Sequence, residues 1–289
     1  MTPAVSVVIP TYDRLPLLRE AVDSVFDQSY GAFELLVVDD ASGDGTADWL
    51  RNGSFAADHR LRPILLREHL GTPGAVRNRG AEAARAPLLA FLDSDDRWLP
   101  EKLARQLPLH IDGACRISHT RELWLREGRR VSQKGQKQRR RGDIFEDALK
   151  KCIIGPSTTV IDTELFRAHG GFDEELEVAE DYELWLRIAA FEKVCYLEES
   201  LTEKRAGAWE QLSEKYGQIE GFRIEALRRV LARQALPAER ATTARSELAR
   251  KLRIFAVGAR KRGREAEARA VESEAAELET AIRKGYTNV

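Results

Sequence analysis

The apolar pattern of the first hundred residues constrains the fold most. Four short apolar runs alternate there with segments whose apolar residues recur at helical spacing, as in Leu18, Val22 and Val25. Strands joined by helices in this order form a parallel sheet with helices on its faces. The predicted strands are "VSVVIP" (5–10), "FELLVVDD" (33–40), "RPILLRE" (62–68) and "PLLAFLDSDD" (87–96).

The rest of the chain changes character at about Gly113. A hairpin is predicted for 114–131, helices for 143–151, 162–169 and 179–191, and extended segments for 156–161 and 193–205. From Trp209 through Arg283 the sequence is rich in Ala, Glu, Arg and Leu, which predicts two or three helices. This tail is expected to pack on the sheet as an accessory helical region.

Composition and charge narrow the class of protein. Charged residues make up 32% of the 289, the net charge is -1, and no apolar segment approaches the length of a membrane span. The amino-terminal segment lacks the pattern of a secretory signal. Cys115, Cys152 and Cys195 lie far apart, so we expect neither a disulfide framework nor a Cys-x-x-Cys metal site. A reduced, cytoplasmic protein that does not bind nucleic acid is predicted.

A basic segment interrupts the second half. Between Arg121 and Arg141 nine Lys or Arg residues accompany two Glu residues. Such a run is usually a solvated loop. The alternative is a flap that closes over a polyanionic ligand such as a diphosphate.

Acidic clusters mark the candidate site. Asp39 and Asp40 end the second predicted strand, Asp93, Asp95 and Asp96 end the fourth, and Glu180 and Asp181 open a predicted helix. Aspartate is common after strands and at helix starts, so one such pair is weak evidence. We expect the first two clusters to end neighbouring strands and to meet in one cleft, where open α/β sheets bind ligands.

Other carboxylate chemistries fit the sequence less well. A receiver domain begins with its acidic pair, whereas here a strand and a helix precede Asp39. A haloacid-dehalogenase-type phosphatase needs Thr or Val where Arg97 stands, and no Gly-x-Gly-x-x-Gly follows the first strand. A nucleotide-diphosphate site remains, in which carboxylates bind Mn²⁺ or Mg²⁺ and the metal binds phosphate oxygens.

Five segments, taken together, resemble the motifs of the family 2 glycosyltransferases, which have the GT-A fold. They occur in order over roughly Val5 to Arg205: "SVVIPTYDR", "ELLVVDDASGDGT", "GTPGAVRNRGAEAA", "LAFLDSDDRWLPEKL" and "GGFDEELEVAEDYELWLRIA". The resemblance implies a GT-A domain over 1–205, with a nucleotide-binding half (1–112) and an acceptor and catalytic-base half (113–205). Residues 206–289 form the helical carboxyl-terminal extension.

The resemblance also implies roles for single residues. It implies an inverting hexosyl transfer from a nucleotide-diphosphate sugar, expected to be UDP-linked, to a saccharide or glycoconjugate hydroxyl. Asp95 and Asp93 would bind the metal, Asp39 or Asp40 the base ring, and Arg77 the pyrophosphate. Asp181, of the Glu180-Asp181 pair, would be the catalytic base, which general-base chemistry also favours. The implied nucleotide-sugar-binding residues are Pro10, Thr11, Tyr12, Arg14, Asp39, Asp40, Arg77, Asn78, Asp93, Ser94 and Arg205.

The sequence departs from the family pattern in two places. Asp13 stands where Asn is more usual, and Ala208 stands where relatives often carry a histidine. If that histidine helps to bind metal or diphosphate in relatives, its role here is either vacant or passed to Arg205 or Lys204. Trp98 follows the acidic run and is expected to line the site, whereas Trp185 is expected in the core.

Two other functions stay open at this point. One is a catalytically silent nucleotide-sugar-binding or scaffold protein of the same fold, which the missing histidine favours. The other is a nucleotidyltransferase, for which "PTYDRLP" is a poor phosphate loop. The sequence leaves open homo-oligomer formation and peripheral membrane contact.

Overall fold

A computed structural model describes residues 2–111, 113–126, 128–131, 138–206, 219–233 and 236–286. Within them, nine strands form one sheet. The strands are β1 (Val5–Thr11), β2 (Phe33–Asp39), β3 (Leu61–Leu65), β4 (Leu88–Phe91), β5 (Arg97–Trp98), β6 (Ile117–Arg126), β7 (Arg129–Arg130), β8 (Thr159–Asp162) and β9 (Cys195–Ala206).

The helices alternate with the strands in the first half and follow them in the tail. They are α1 (Leu15–Phe26), α2 (Thr46–Asn52), α3 (Pro73–Ala83), α4 (Lys102–Gln106), α5 (Phe145–Lys150), α6 (Thr163–Ala168), α7 (Glu180–Ala189), α8 (Ile219–Arg233), α9 (Ala238–Lys261) and α10 (Glu265–Tyr286). Short 3₁₀ turns occupy Leu107–His110 and Pro156–Thr158. The predicted α/β architecture with a helical carboxyl-terminal extension is confirmed.

The sheet order is β3-β2-β1-β4-β8-β6-β9-β5, with β7 paired to β6. The four strands from β3 to β4 are parallel, as predicted, and β9 runs parallel to β6. Strands β8, β5 and β7 pair antiparallel, and β6–β7 is the predicted hairpin. Because β1 lies between β2 and β4, the prediction that the two acidic clusters end neighbouring strands is wrong. They flank the end of β1 instead.

Apolar side chains cover both faces of the parallel strands. Val7 and Ile9 of β1 pack with Leu18 of α1 on one face, while Val8 packs with Val76 of α3 on the other. All of them are buried. Two-sided burial explains why these strands appear in the sequence as continuous apolar runs.

The tail helices belong to the same core as the sheet. Leu227 of α8, Leu248 of α9 and Ala275 of α10 fall in one buried apolar cluster with Trp185 and Leu186 of α7. Trp185 is therefore a core residue, as expected. The division of the chain at residue 205 stays a prediction. Among the described helices, none is both long enough and apolar enough to cross a lipid bilayer.

The cysteines differ from the expectation. Cys115 and Cys195 are paired as a disulfide, with Cα atoms 6.1 Å apart, and Cys152 is free. The prediction of fully reduced cysteines is thus wrong for two of the three. A separation of 80 residues conceals the pair in the sequence. The parallel pairing of Ser118 with Cys195 brings them together.

Candidate active site

One cavity of about 600 Å³ opens at the carboxyl ends of β1, β2 and β4. Aspartate follows each of these strands because the chain must turn there, and the turns aim polar side chains into the opening. The cavity brings together most of the residues predicted from the sequence: Pro10, Thr11, Tyr12, Arg14, Asp40, Arg77, Asp93, Ser94, Asp95, Glu180, Asp181 and Arg205.

Two predicted binding residues lie behind the cavity wall. The carboxylate of Asp39 accepts a hydrogen bond from the backbone N–H of Ser42 (3.2 Å). Asn78 donates to the carbonyl of Phe172 (2.9 Å) and to Glu174 (3.0 Å), and it accepts from the N–H of Phe172 (3.0 Å). The side chain of Asn78 therefore fixes the loop before α7, and Asp40 is the member of the acidic pair that faces the opening.

Asp40 is the centre of one end of the cavity. Its carboxylate accepts from the N–H of Leu70 (2.7 Å) and Gly71 (3.3 Å), and it lies 2.8 Å from Nδ1 of His69. The ring of Tyr12 stacks on His69, with centroids 3.9 Å apart and planes 24° from parallel. Tyr12 is 42% exposed. This end offers flat rings and a fixed hydrogen-bond acceptor, which suit a planar heterocycle.

Asp93, Asp95 and Asp96, called here the acidic cluster, lie at the centre. One carboxylate oxygen from each lies within 4.8 Å of the others. Burial and the charge of Asp93 raise the pKa of Asp95, and burial raises the pKa of Asp96 to about 8. Burial also opposes ionisation of Asp93, but the Arg77 guanidinium beside it brings its pKa below the usual value. Negative charge is therefore concentrated and poorly solvated here.

Each member of the acidic cluster has a cationic partner. Nη2 of Arg77 lies 2.6 Å from Asp93, Nη1 of Arg14 lies 3.4 Å from Asp95, and Nζ of Lys204 lies 3.7 Å from Asp96. Arg205 donates to the backbone carbonyl of Asp95 (2.8 Å) and pairs with Glu20 (2.6 Å).

Ser157, in the turn before β8, joins the acidic cluster to the second half. Its hydroxyl donates to Asp96 (2.6 Å) and accepts from the N–H of Asp93 (3.1 Å). Its carbonyl accepts from Nε1 of Trp98 (2.7 Å) and from the Thr202 hydroxyl (3.1 Å). Trp98 is thus a buried support for this turn. The expectation that it lines the site is wrong, because its ring is buried against this turn; among the described residues, Trp124 is the tryptophan that lines the cavity.

Glu180 and Asp181 occupy the first turn of α7. Ala179 precedes them with a φ of 68°, and this left-handed residue turns the chain sharply into the helix. Glu180 accepts a hydrogen bond from Nη1 of Arg77 (2.6 Å). Burial raises the pKa of Glu180 to about 7 even though Arg77 opposes the shift.

Asp181 has a separate environment. One oxygen accepts from the N–H of Tyr182 (2.6 Å), and the other lies 3.5 Å from Sγ of Cys152. Burial raises the pKa of Asp181 above its usual value, although Arg77 works in the opposite direction. A desolvated carboxylate of this kind is a stronger base than one in water.

Sequence reasoning missed several cavity residues. His69, Cys152 and Arg223 line it, and the sequence suggests Lys204 only as a substitute for a histidine. None of these belongs to a motif with a characteristic spacing, and Arg223 comes from the tail helix α8. Ala208, and residues 127 and 132–137 of the basic segment, lie outside the described residues, so the proposed flap stays a prediction.

A family model described as "Glycosyl transferase family 2" matches residues 6–169. The putative teichuronic acid biosynthesis glycosyltransferase TuaG of Bacillus subtilis (strain 168) is 37% identical over 163 residues, which are 56% of this chain and 63% of TuaG. This chain therefore spans less than two thirds of the length of TuaG.

Two further similarities support the fold and its class. The Escherichia coli protein WfgD, a UDP-Glc:alpha-D-GlcNAc-diphosphoundecaprenol beta-1,3-glucosyltransferase, is 30% identical over 184 residues, 64% of this chain and 69% of WfgD. The crystal structure of S. aureus TarS 1-349 in complex with UDP-GlcNAc matches with a TM-score of 0.71 and 21% identity, over 99% of this chain and 92% of that one. The latter likeness shows a shared fold.

Proposed function

The chain belongs to glycosyl transferase family 2, and we propose that it moves a sugar from a uridine diphosphate sugar to an acceptor hydroxyl with inversion. It is a glycosyltransferase, with the predicted GT-A fold. The acceptor that we propose is a saccharide or glycoconjugate. The observation that carries this proposal is that Asp181 lines the same cavity as Asp40, Asp93 and Asp95.

The donor is proposed to lie with its base against Tyr12 and Asp40. Asp40 offers an acceptor to a ring N–H of uracil, and Tyr12 offers a ring face. Arg14 and Arg205 would bind the diphosphate, because guanidinium groups match phosphate oxygens in geometry and charge. The name of WfgD gives UDP-Glc as its donor, and the TarS complex contains UDP-GlcNAc. Both are uridine diphosphate sugars, which supports uracil as the base.

The acidic cluster fits a divalent metal. Mn²⁺ and Mg²⁺ prefer carboxylate oxygens and keep positions for phosphate oxygens. Burial and the charge of Asp93 raise the pKa of Asp95, which shows that its ionised form is unfavourable here. A bound cation would stabilise that ionised form. We propose Asp95 and Asp93 as its ligands. When bound, such a metal supplies positive charge that stabilises the departing diphosphate.

Asp181 is proposed as the general base. It would accept the proton of the acceptor hydroxyl as the new glycosidic bond forms and the bond to the diphosphate breaks. Attack from the face opposite the diphosphate in one step inverts the anomeric carbon. The N–H of Tyr182 fixes one oxygen of Asp181, and Arg77 connects its neighbour Glu180 to Asp93.

The acceptor side is proposed to lie near Trp124 and Arg223, which line the cavity from β6 and α8. Aromatic rings stack on sugars, and Arg223 adds positive charge. The name of TuaG refers to teichuronic acid biosynthesis, and that of WfgD to a diphosphoundecaprenol-linked acceptor. We propose a role in bacterial surface polysaccharide synthesis.

Calorimetric titration with UDP, GDP, ADP and dTDP, each with and without Mn²⁺, tests the donor and the metal together. We expect UDP to bind most tightly and Mn²⁺ to strengthen its binding. Release of UDP from a panel of UDP sugars in the presence of saccharide acceptors then tests transfer. Tighter binding of a nucleotide other than UDP would contradict the proposed donor. A nucleotide affinity that is the same with and without Mn²⁺ would contradict the proposed metal site.

A further inference from the structure

We propose that Lys204 is a resident cation of the acidic cluster, with two effects. When no nucleotide is bound, Lys204 weakens the binding of a metal ion to the acidic cluster. When a donor is bound, Lys204 binds its diphosphate. This inference rests on the proposed transfer from a nucleotide-diphosphate sugar. It assigns to Lys204 a task that overlaps with that of the metal.

The position of Lys204 follows from the pairing of β9 with β6. Lys204 lies opposite Trp124 in the parallel register, and its Nζ lies 6.0 Å from the centre of the Trp124 ring. The same Nζ lies 3.7 Å from Oδ2 of Asp96. The side chain lines the cavity and is 24% exposed. The ammonium group therefore lies between the acidic cluster and the open space of the cavity.

The charge of Lys204 acts on the whole site. It favours the ionised forms of Asp93, Asp95, Asp96 and Asp181. In return, Asp96 and Glu122 raise the pKa of Lys204, although burial opposes the shift. The lysine therefore stays protonated at neutral pH. A divalent cation that approaches the acidic cluster meets a positive charge already in place.

Lys204 is better placed for diphosphate than Arg77. The two terminal nitrogens of Arg77 are engaged by Asp93 and Glu180, each at 2.6 Å, and its side chain is 6% exposed. The ion pair of Lys204 with Asp96, at 3.7 Å, is longer than a hydrogen bond, and an ammonium group has three donors. A phosphate oxygen can bind to Lys204 without breaking a close contact.

Two titrations on the full chain test this inference. The first measures Mn²⁺ binding without nucleotide, and the second measures UDP binding in EDTA. In Lys204→Met we expect Mn²⁺ to bind more tightly, by about three- to tenfold, because a like charge is gone. We expect UDP in EDTA to bind about tenfold more weakly, because a charged hydrogen-bond donor is lost. Lys204→Arg should restore UDP binding.

Two variants serve as controls. Lys193→Met removes an exposed lysine just before β9, and both affinities should stay at the wild-type values. Lys204→Met leaves the buried Asp96 without its lysine, so the double variant Asp96→Asn, Lys204→Met removes the pair together. Thermal unfolding checks that each variant is folded. The double variant should retain the loss of UDP affinity in EDTA.

The outcomes separate this inference from the proposed function. Unchanged or weaker Mn²⁺ binding in folded Lys204→Met would overturn the resident-cation effect, and unchanged UDP affinity in EDTA would overturn the diphosphate contact. If the wild-type protein binds no nucleoside diphosphate, the donor proposal fails. The Mn²⁺ titration would still decide whether Lys204 opposes the metal.

Discussion

Arg77 joins two acidic residues that lie far apart in the sequence. It holds Asp93, at the end of β4, and Glu180, at the start of α7, at 2.6 Å each. The resemblance assigned this arginine to the pyrophosphate. In the structure its terminal nitrogens also fix the distance between the proposed metal ligands and the proposed catalytic base.

Asp181→Asn should abolish transfer and leave donor binding nearly intact. An amide cannot accept the acceptor proton, so we expect kcat to fall by about 10²–10⁴-fold. Steady-state release of UDP measures kcat, and calorimetry measures donor affinity. Glu177→Gln is the matched control, because Glu177 is an exposed carboxylate on the same loop. Full activity of Asp181→Asn would remove Asp181 from its role.

Transfer should fall on the acidic side of neutral pH. Asp181 must be ionised to accept a proton, and burial raises its pKa, so kcat/KM should rise with pH through that raised value. Glu180, whose pKa burial raises to about 7, titrates beside it. Glu180→Gln removes this neighbouring titration and should leave an acidic limb that Asp181 alone determines. A kcat/KM that does not fall as the pH is lowered would contradict this.

The sequence identified the acidic residues but not all their partners. Asp93 and Asp95 were found because a strand ends beside them, and Asp181 because a helix begins beside it. His69 was not assigned, and Lys204 was assigned only as a substitute for a histidine, because a single histidine or lysine in a loop or strand has no distinguishing spacing. Asn78 was assigned to the ligand, yet its amide is occupied by Phe172 and Glu174.

At the scale of elements, α3 positions Arg77 by packing closely on the sheet. A Cβ placed on Gly80 would lie 2.4 Å from Val8 Cγ1 of β1 and 3.1 Å from Val38 Cγ2 of β2. The helix can approach the strands this closely only because position 80 has no side chain. The orientation of Arg77 toward Asp93 and Glu180 depends on this approach.

Gly80→Ala should therefore destabilise the protein by about 1–3 kcal/mol, the usual cost of overpacking a core. Urea unfolding measures the change in free energy. Gly31→Ala is the control, because nothing lies within 4 Å of a Cβ at Gly31. Equal stability of the two variants would mean that α3 is not in close contact with β1.

The elements themselves were largely predictable where the burial pattern is simple. Strands β1, β2 and β4 were found because both of their faces are covered. The order of β8, β6 and β9 could not be predicted, because β6 and β9 pair in parallel across 80 residues, with register shifts near Arg121. The same pairing conceals the disulfide of Cys115 and Cys195.

At the scale of the whole molecule, the tail and the sheet share one core, as the cluster of Leu227 with Trp185 shows. Leu227→Ala should cost about 2–5 kcal/mol, because this side chain is fully buried. All five tryptophans precede Ile219, so their fluorescence reports on the chain before the tail helices. In guanidinium chloride the fluorescence midpoint should shift to lower concentration.

Val257→Ala, at a 52% exposed position of α9, is the matched control and should change stability by less than about 0.5 kcal/mol. An unshifted fluorescence midpoint in Leu227→Ala, with loss of helical circular dichroism alone, would show that the tail unfolds by itself.

The position of α8 limits how relatives can be recombined. This helix supplies Arg223 to the cavity and Leu227 to the core beneath α7. A hybrid that takes residues up to 205 from this chain and the tail from a relative would have a different helix in the place of α8. It would lose Arg223 from the cavity lining and Leu227 from the core that supports the helix. Acceptor preference should therefore be inherited through the tail as well as through the sheet.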